Sequence, residues 1–150
     1  MKRTSIKIAI LAVAICTMSG TAFAQDHSRG WENGNIVAVT EVHIKPGMFN
    51  AYVNDLNNVW RKFNEAQIKE GDIVSFSMFA NTSPREGEPD LYLTITYKNW
   101  AVFDRGIEYF ETLGASLLGS TENVRMAGVD REQLRTIGST YVLRQITFKD

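Results

Sequence analysis

The sequence predicts one α+β domain, with strands and helices in the order β-α-β-β-α-β and a single antiparallel sheet covered by helices on one face. Three observations predict it. An apolar stripe at helical spacing runs through Phe49, Tyr52, Val53, Leu56, Val59, Trp60 and Phe63. Short β-rich stretches lie before and after it, several with alternating apolar and polar residues. Turn chemistry separates these segments, at Lys45-Pro46-Gly47 and again between Asn81 and Asp90, where Pro84, Gly87 and Pro89 fall. A period of 3.6 marks a helix with one buried side, and a period of two marks a half-buried strand.

Taken in order, Ile36 to Ile44 reads as the first strand, ended by Pro46 and Gly47. The stripe that follows belongs to a long helix, with Asn54, Asp55, Asn57, Asn58, Arg61 and Lys62 on its polar side and Gly71 available as a left-handed cap. Ile73 to Ala80 reads as the second strand and Leu91 to Tyr97 as the third, joined by the exposed loop. Trp100 to about Leu118 reads as a second helix with Trp100, Phe103, Ile107, Phe110 and Leu113 on one side, weakened by Gly106 and Gly114. Glu122 to about Ile137 reads as further helix broken near Gly128, with Asp130 capping a short piece over Arg131 to Thr136. Tyr141 to Phe148 is the last strand.

The N-terminus carries a separate message. Lys2, Arg3 and Lys7 precede an apolar run from Ile8 to Met18, and Ala22-Phe23-Ala24 supplies small residues at the positions a signal peptidase reads. The run falls short of the roughly 20 apolar residues a membrane span needs, so a cleaved signal peptide over 1–24 is expected. A polar lead over 25–35 and a domain over 36–150 would follow, in the periplasm or the medium. Cleavage would leave 13 basic and 17 acidic residues, a net charge of −4. That balance argues against a nucleic-acid partner, which requires a basic face. Cys16 is the single cysteine and lies in the signal. The exported form is therefore expected to lack disulfides, thiolate chemistry and cysteine-bound metals. Ile15, where a lipoprotein signal needs a small residue, disfavours lipidation of Cys16.

This element order is the split βαβ, or ferredoxin-like, arrangement, in which helices cover one sheet face and leave the other bare. Alternation assigns Tyr92, Thr94 and Thr96, Ser75, Ser77 and Phe79, and Val39, Glu41 and His43 to the bare face. The last strand is ambiguous, because Val142 and Ile146 form one apolar set and Tyr141 and Leu143 the other. A face exposed only to water would carry more lysine and glutamate.

From Ile36 to Phe148 the chain resembles the dimeric α+β barrel superfamily. The resemblance rests on element order, the strand–Lys45-Pro46-Gly47–helix junction, the helix carrying Trp60 and ending at Lys69-Glu70-Gly71, and the aromatic third strand leading into Trp100. Within it the chain looks most similar to small secreted bacterial members of unknown role. The resemblance implies a homodimer with two sheets paired face to face. The superfamily includes cofactor-free monooxygenases, haem-degrading enzymes, isomerases and ligand-binding or regulatory modules, and fold alone does not choose among them.

The candidate residues for a pocket between the sheets are Glu41, His43, Phe79, Tyr92, Thr94 and Arg144. Glu41 and His43 are same-face neighbours, about 6.5–7 Å apart along a strand. A histidine beside a carboxylate can act as a general base. The plainer reading is a polar pair at a dimer seam. Arg144 would hold an anionic group if it points inward and is an ordinary solvated arginine if it points outward. Trp60 and Phe63 follow the helical stripe and read as core, and Arg61 and Glu65 as an i,i+4 surface pair. Only His27 and His43 are histidines and no spaced ligand set accompanies them, so no metal or other cofactor is expected. Gly-x-Ser-x-Gly and phosphate-loop patterns are absent. The best reading is an exported homodimer that binds a small, partly apolar molecule between sheet faces. The alternatives are a pocketless structural or interaction protein, and a cofactor-free oxygenase or isomerase using His43 as base.

Overall fold

A computed structural model describes residues 29–149; the expected signal peptide, Cys16 and His27 lie outside them. The elements are β1 (Trp31–Ile44), α1 (Phe49–Asp55), a π-helical turn (Leu56–Trp60), α2 (Arg61–Glu70), β2 (Ile73–Ala80), β3 (Leu91–Tyr97), a 3₁₀ turn (Trp100–Asp104), α3 (Ile107–Leu118), α4 (Thr121–Glu132) and β4 (Arg135–Phe148). The strands form one antiparallel sheet in the order β2-β3-β1-β4. That order and connectivity are the ferredoxin-like fold.

The β1–α1 junction follows from its sequence. Pro46 and Gly47 occupy the centre of a turn closed by the Met48 N–H donating to the Lys45 carbonyl at 2.9 Å, with Gly47 at φ 78°. Proline presets the first central position, and glycine accepts the left-handed second one. The helix then runs unbroken from Phe49 to Glu70 and stops at Gly71, φ 80°. The π turn inside it changes which residues face inward. Before it Tyr52 is buried and at its start Leu56; after it the buried positions are Asn64 and Gln67. Asn64 donates from Nδ2 to the Trp60 carbonyl at 2.7 Å.

The core lies between this helix and the sheet, where Val42, Tyr52, Leu56, Leu91 and Leu93 pack together with Ile44, Trp60 and Leu134 at the margin. Trp60 meets Phe76 edge-on at 5.1 Å, and Phe63 stacks on Phe110 at 6.5 Å. At the other end of α2, Asp72 accepts from Arg105 and from the Tyr109 hydroxyl, both at 2.5 Å. This ties the start of β2 to α3. Burial and the Asp72 carboxylate push the Tyr109 phenol up to about 12.

Four expectations change. β1 begins at Trp31, so residues 31–35 are strand and not a loose lead; pairing with β4 out to Trp31 opposite Phe148 overrides their weak propensity. Trp100 to Leu118 is two pieces. Asn99 caps the 3₁₀ turn by accepting from the Ala101 N–H, Arg105 and Gly106 are extended, and Ile107 is exposed instead of packed. α4 passes through Gly128 without a break and ends at Glu132, and no separate short helix follows before β4. Here Gly119 (φ 89°) closes α3 and the Ser120 side chain caps α4, accepting from Asn123 N–H at 3.1 Å. Finally, β4 starts at Arg135, six residues ahead of Tyr141.

Candidate functional site

Register fixes the bare face row by row. Phe79, Tyr92 and Glu41 lie side by side across β2, β3 and β1. Ser77, Thr94, Val39 and Tyr141 form the next row, and Ser75, Thr96, Val37 and Leu143 the one after. Neighbouring residues within a row stand about 5 Å apart, and rows about 7 Å apart. Five of the six candidate residues are thus brought together: Glu41, His43, Phe79, Tyr92 and Thr94. Thr94 donates its hydroxyl to the Ser77 carbonyl at 3.3 Å.

Arg144 is not part of this group. It pairs with Ile36 on the helix-covered side, and its guanidinium lies 5.5 Å from the centre of the Trp100 ring. The pairing that turns it away also resolves the ambiguity of β4. Val142 stands opposite Ala38 on the covered side, while Tyr141 and Leu143 occupy the bare side.

Two β-bulges hold β1 and β4 in this register. Between the pairs Thr40–Thr140 and Val42–Ile137, Glu41 alone faces both Gly138 and Ser139. Between Asn33–Ile146 and Ile36–Arg144, Gln145 alone faces Gly34 and Asn35. In each bulge the single residue's side chain reaches a backbone N–H of the doubled strand. Glu41 Oε2 accepts from Ser139 at 3.2 Å, and Gln145 Oε1 from Asn35 at 3.3 Å. A bulge leaves an amide out of the ladder, and a side-chain acceptor satisfies it. Gly138 fits because a Cβ there would stand 3.0 Å from His43 Nε2 and 3.2 Å from Glu41 Cβ. Glu41 and His43 therefore flank a backbone irregularity at the edge of the bare face. A glycine inside a strand is a sequence mark of such a bulge, and Gly138 carried it.

On the covered side, a cavity of about 210 Å³ lies between the helix and the sheet. Tyr52, Leu56, Trp60 and Leu93 line it, with Arg131 and Arg135. Arg131 pairs with Asp55 through Nε at 2.5 Å and Nη at 3.4 Å. Arg135 Nε is buried with no hydrogen-bond partner among the described residues. Burial pushes the Tyr52 phenol up, and Arg135 opposes that shift. Sequence periodicity took Tyr52 and Trp60 as core; the cavity's arginines were obscured because Arg131 to Thr136 read as helix. Among the described residues no cluster of His, Cys, Asp or Glu has the grouping of a metal site, and no helix is long and apolar enough to cross a membrane.

No protein-family model matches the chain, and no curated protein matches it. Solved structures of similar chain path exist. A protein from Shewanella oneidensis has 14% identity and a TM-score of 0.47 over 78% of this chain and 98% of its own. A dimeric ferredoxin-like protein from an uncultured marine organism has 16% identity and a TM-score of 0.49, over 76% and 96%. A dimeric ferredoxin-like protein from Thermobifida fusca has 10% identity and a TM-score of 0.40, over 76% and 92%. At these identities the likeness is one of fold, and the fold here is the ferredoxin-like one that the strand order defines.

Proposed function

We propose that the chain is exported and works as a homodimer whose bare sheet faces oppose one another, with a small, partly apolar ligand held between them. One observation carries this reading: the bare face combines exposed apolar side chains, Phe79 at 56% and Leu143 at 51%, with the polar pair Glu41 and His43. An apolar patch ringed by polar groups is the signature of an association surface, and water alone would select a more charged face. Tyr92 and Tyr141 add rings whose hydroxyls can orient a ligand. A signal-like N-terminus supports export. Glu41 already directs one carboxylate oxygen to the Ser139 amide. This favours a seam role for the Glu41–His43 pair over general-base catalysis by His43.

Native mass spectrometry of the protein recovered from the exported fraction, without refolding, tests the reading. A dimer mass with a releasable additional mass is expected. A bare dimer would favour a structural or interaction role, and a monomer would overturn the paired-face reading. Leu143→Glu places a charge in the middle of the proposed seam and is expected to convert the dimer to a folded monomer, read by light scattering.

A further inference from the structure

A second concavity, on the outer side of the molecule from the proposed seam, has no place in that reading. It measures about 340 Å³ and lies between the π turn with α2 on one side and the α3–α4 hairpin on the other. Its apolar wall comes from Val59, Trp60, Phe63, Leu117, Leu118 and Val124. The polar residues lining it are Asn58, Lys62 and Arg131, and among the described residues no acidic one lines it. Nε and one Nη of Arg131 bond Asp55, leaving its second Nη for another acceptor. Lys62 is exposed at the rim.

The two glycines of the α3–α4 hairpin that line this cavity behave differently. Gly114 permits close helix packing, since a Cβ there would stand 2.9 Å from Val124 Cγ2. A Cβ at Gly128 would meet nothing within 4 Å. Glycine in mid-helix weakens the helix, and here no packing contact requires it. What the missing side chain does is leave the cavity open. The π turn contributes Asn58, Val59 and Trp60 to the opposite wall, and π turns are found disproportionately at functional sites.

We propose that this cavity binds a small amphiphilic anion: an apolar body of about ten heavy atoms, a size suited to pockets at the small end of the ligand-binding range, bearing one carboxylate. The apolar body lies against Trp60, Phe63 and Leu117, and the carboxylate meets Lys62 and the open side of Arg131. A wall that is apolar with only cationic charge selects this class over cations and over neutral polar molecules. The site is independent of the between-sheet ligand, because the two lie on opposite sides of the sheet.

Calorimetric titration of the intact exported protein with decanoate tests it. Saturable binding at one site per protomer is expected, with decanol bound about tenfold more weakly for want of the charge. Gly128→Leu fills the open space and is expected to weaken decanoate at least about tenfold while the circular dichroism spectrum stays unchanged. Lys62→Ala, at an exposed position, is expected to weaken decanoate severalfold and to leave decanol unchanged. Phe79→Ala on the bare sheet face is expected to have no effect. Absence of saturable binding, equal affinity for decanol, or decanoate binding that survives both Gly128→Leu and Lys62→Ala would overturn the proposal. Loss of binding in Phe79→Ala would move the site to the dimer seam and overturn it equally.

Discussion

On the helix-covered face of the sheet, Val42 and Leu91 are wholly shielded and Leu93 nearly so, whereas on the opposite face Phe79 and Leu143 leave more than half of their surface open. Both faces are made by the same four strands, and often by adjacent residues. Leu91 and Tyr92 differ by one position and by an entire environment. The covered face is completed within the chain, by Tyr52 and Leu56 of one helix. The bare face has aromatic and aliphatic side chains of comparable size, and among the described residues no element packs against them. In this molecule the packed core lies on one side of the sheet, and on the other large apolar side chains stay open to water.

Substitutions sharpen that contrast. The largest effect is expected from Leu91→Ala, which empties space in the packed cluster and should lower unfolding free energy by about 3 kcal/mol in urea titration. The bare-face counterpart, Phe79→Ala, should cost only about 1 kcal/mol in monomer stability, because more than half of its surface stays in water within one chain. Comparable losses from the two would break the contrast. Gly138→Val is expected to cost about 1–2 kcal/mol by pressing on His43 and Glu41 at the bulge. The altered His43 environment should be visible as a shifted imidazole resonance. Gly128→Ala should raise stability by about 0.5–1 kcal/mol, since its Cβ meets open space. Arg61→Ala removes an exposed pair with Glu65 at 3.7 Å and should change stability by no more than about 0.5 kcal/mol.

The Tyr109–Asp72–Arg105 clamp predicts a pH dependence whose sign follows from the phenol. Its folded-state pKa is raised from 10.0 to about 12, so the folded protein holds the Tyr109 proton where the unfolded chain releases it. The clamp's contribution is therefore complete below pH 10 and declines as pH rises through about 12. In Tyr109→Phe that part of the alkaline decline should be absent, as measured by chemical denaturation between pH 9 and about pH 12.

How much of this was legible before any coordinates depended on whether burial differed between neighbours. In β2 and β3 the alternation of Phe76 and Met78 with Ser75 and Ser77, and of Leu91, Leu93 and Ile95 with Tyr92, Thr94 and Thr96, assigned each face correctly. A period of two is readable when one face is buried and the other is not. β4 gave no such contrast. As an edge strand with Val142 and Leu143 both about half exposed, it has apolar residues on both sides, and only pairing to β1 decides their direction. Whether Arg144 points into the bare face or away from it could not be read from the sequence for that reason. The start of β1 was hidden because Gly34 and Asn35 look like a loop, while their pairing depends on Gln145, 110 residues away from Asn35. The long helix was plain from its stripe, but the π turn was not, and so the burial of Asn64 and Gln67 could not be anticipated.

β4 lies at the edge of the sheet, and one consequence concerns the behaviour of the protein at high concentration. Its 14 residues contain no proline, pair among the described residues with β1 on one side only, and include near their end Ile146 and Phe148, which are 58% and 91% exposed. An open edge of this length presents a row of unpaired amides and carbonyls, and it can template the addition of another strand. Arg144 and, just beyond the strand, Lys149 are the exposed charges available to discourage that. The protein is therefore expected to form sheet-rich aggregates when concentrated, and Ile146→Lys is expected to suppress them, read by light scattering.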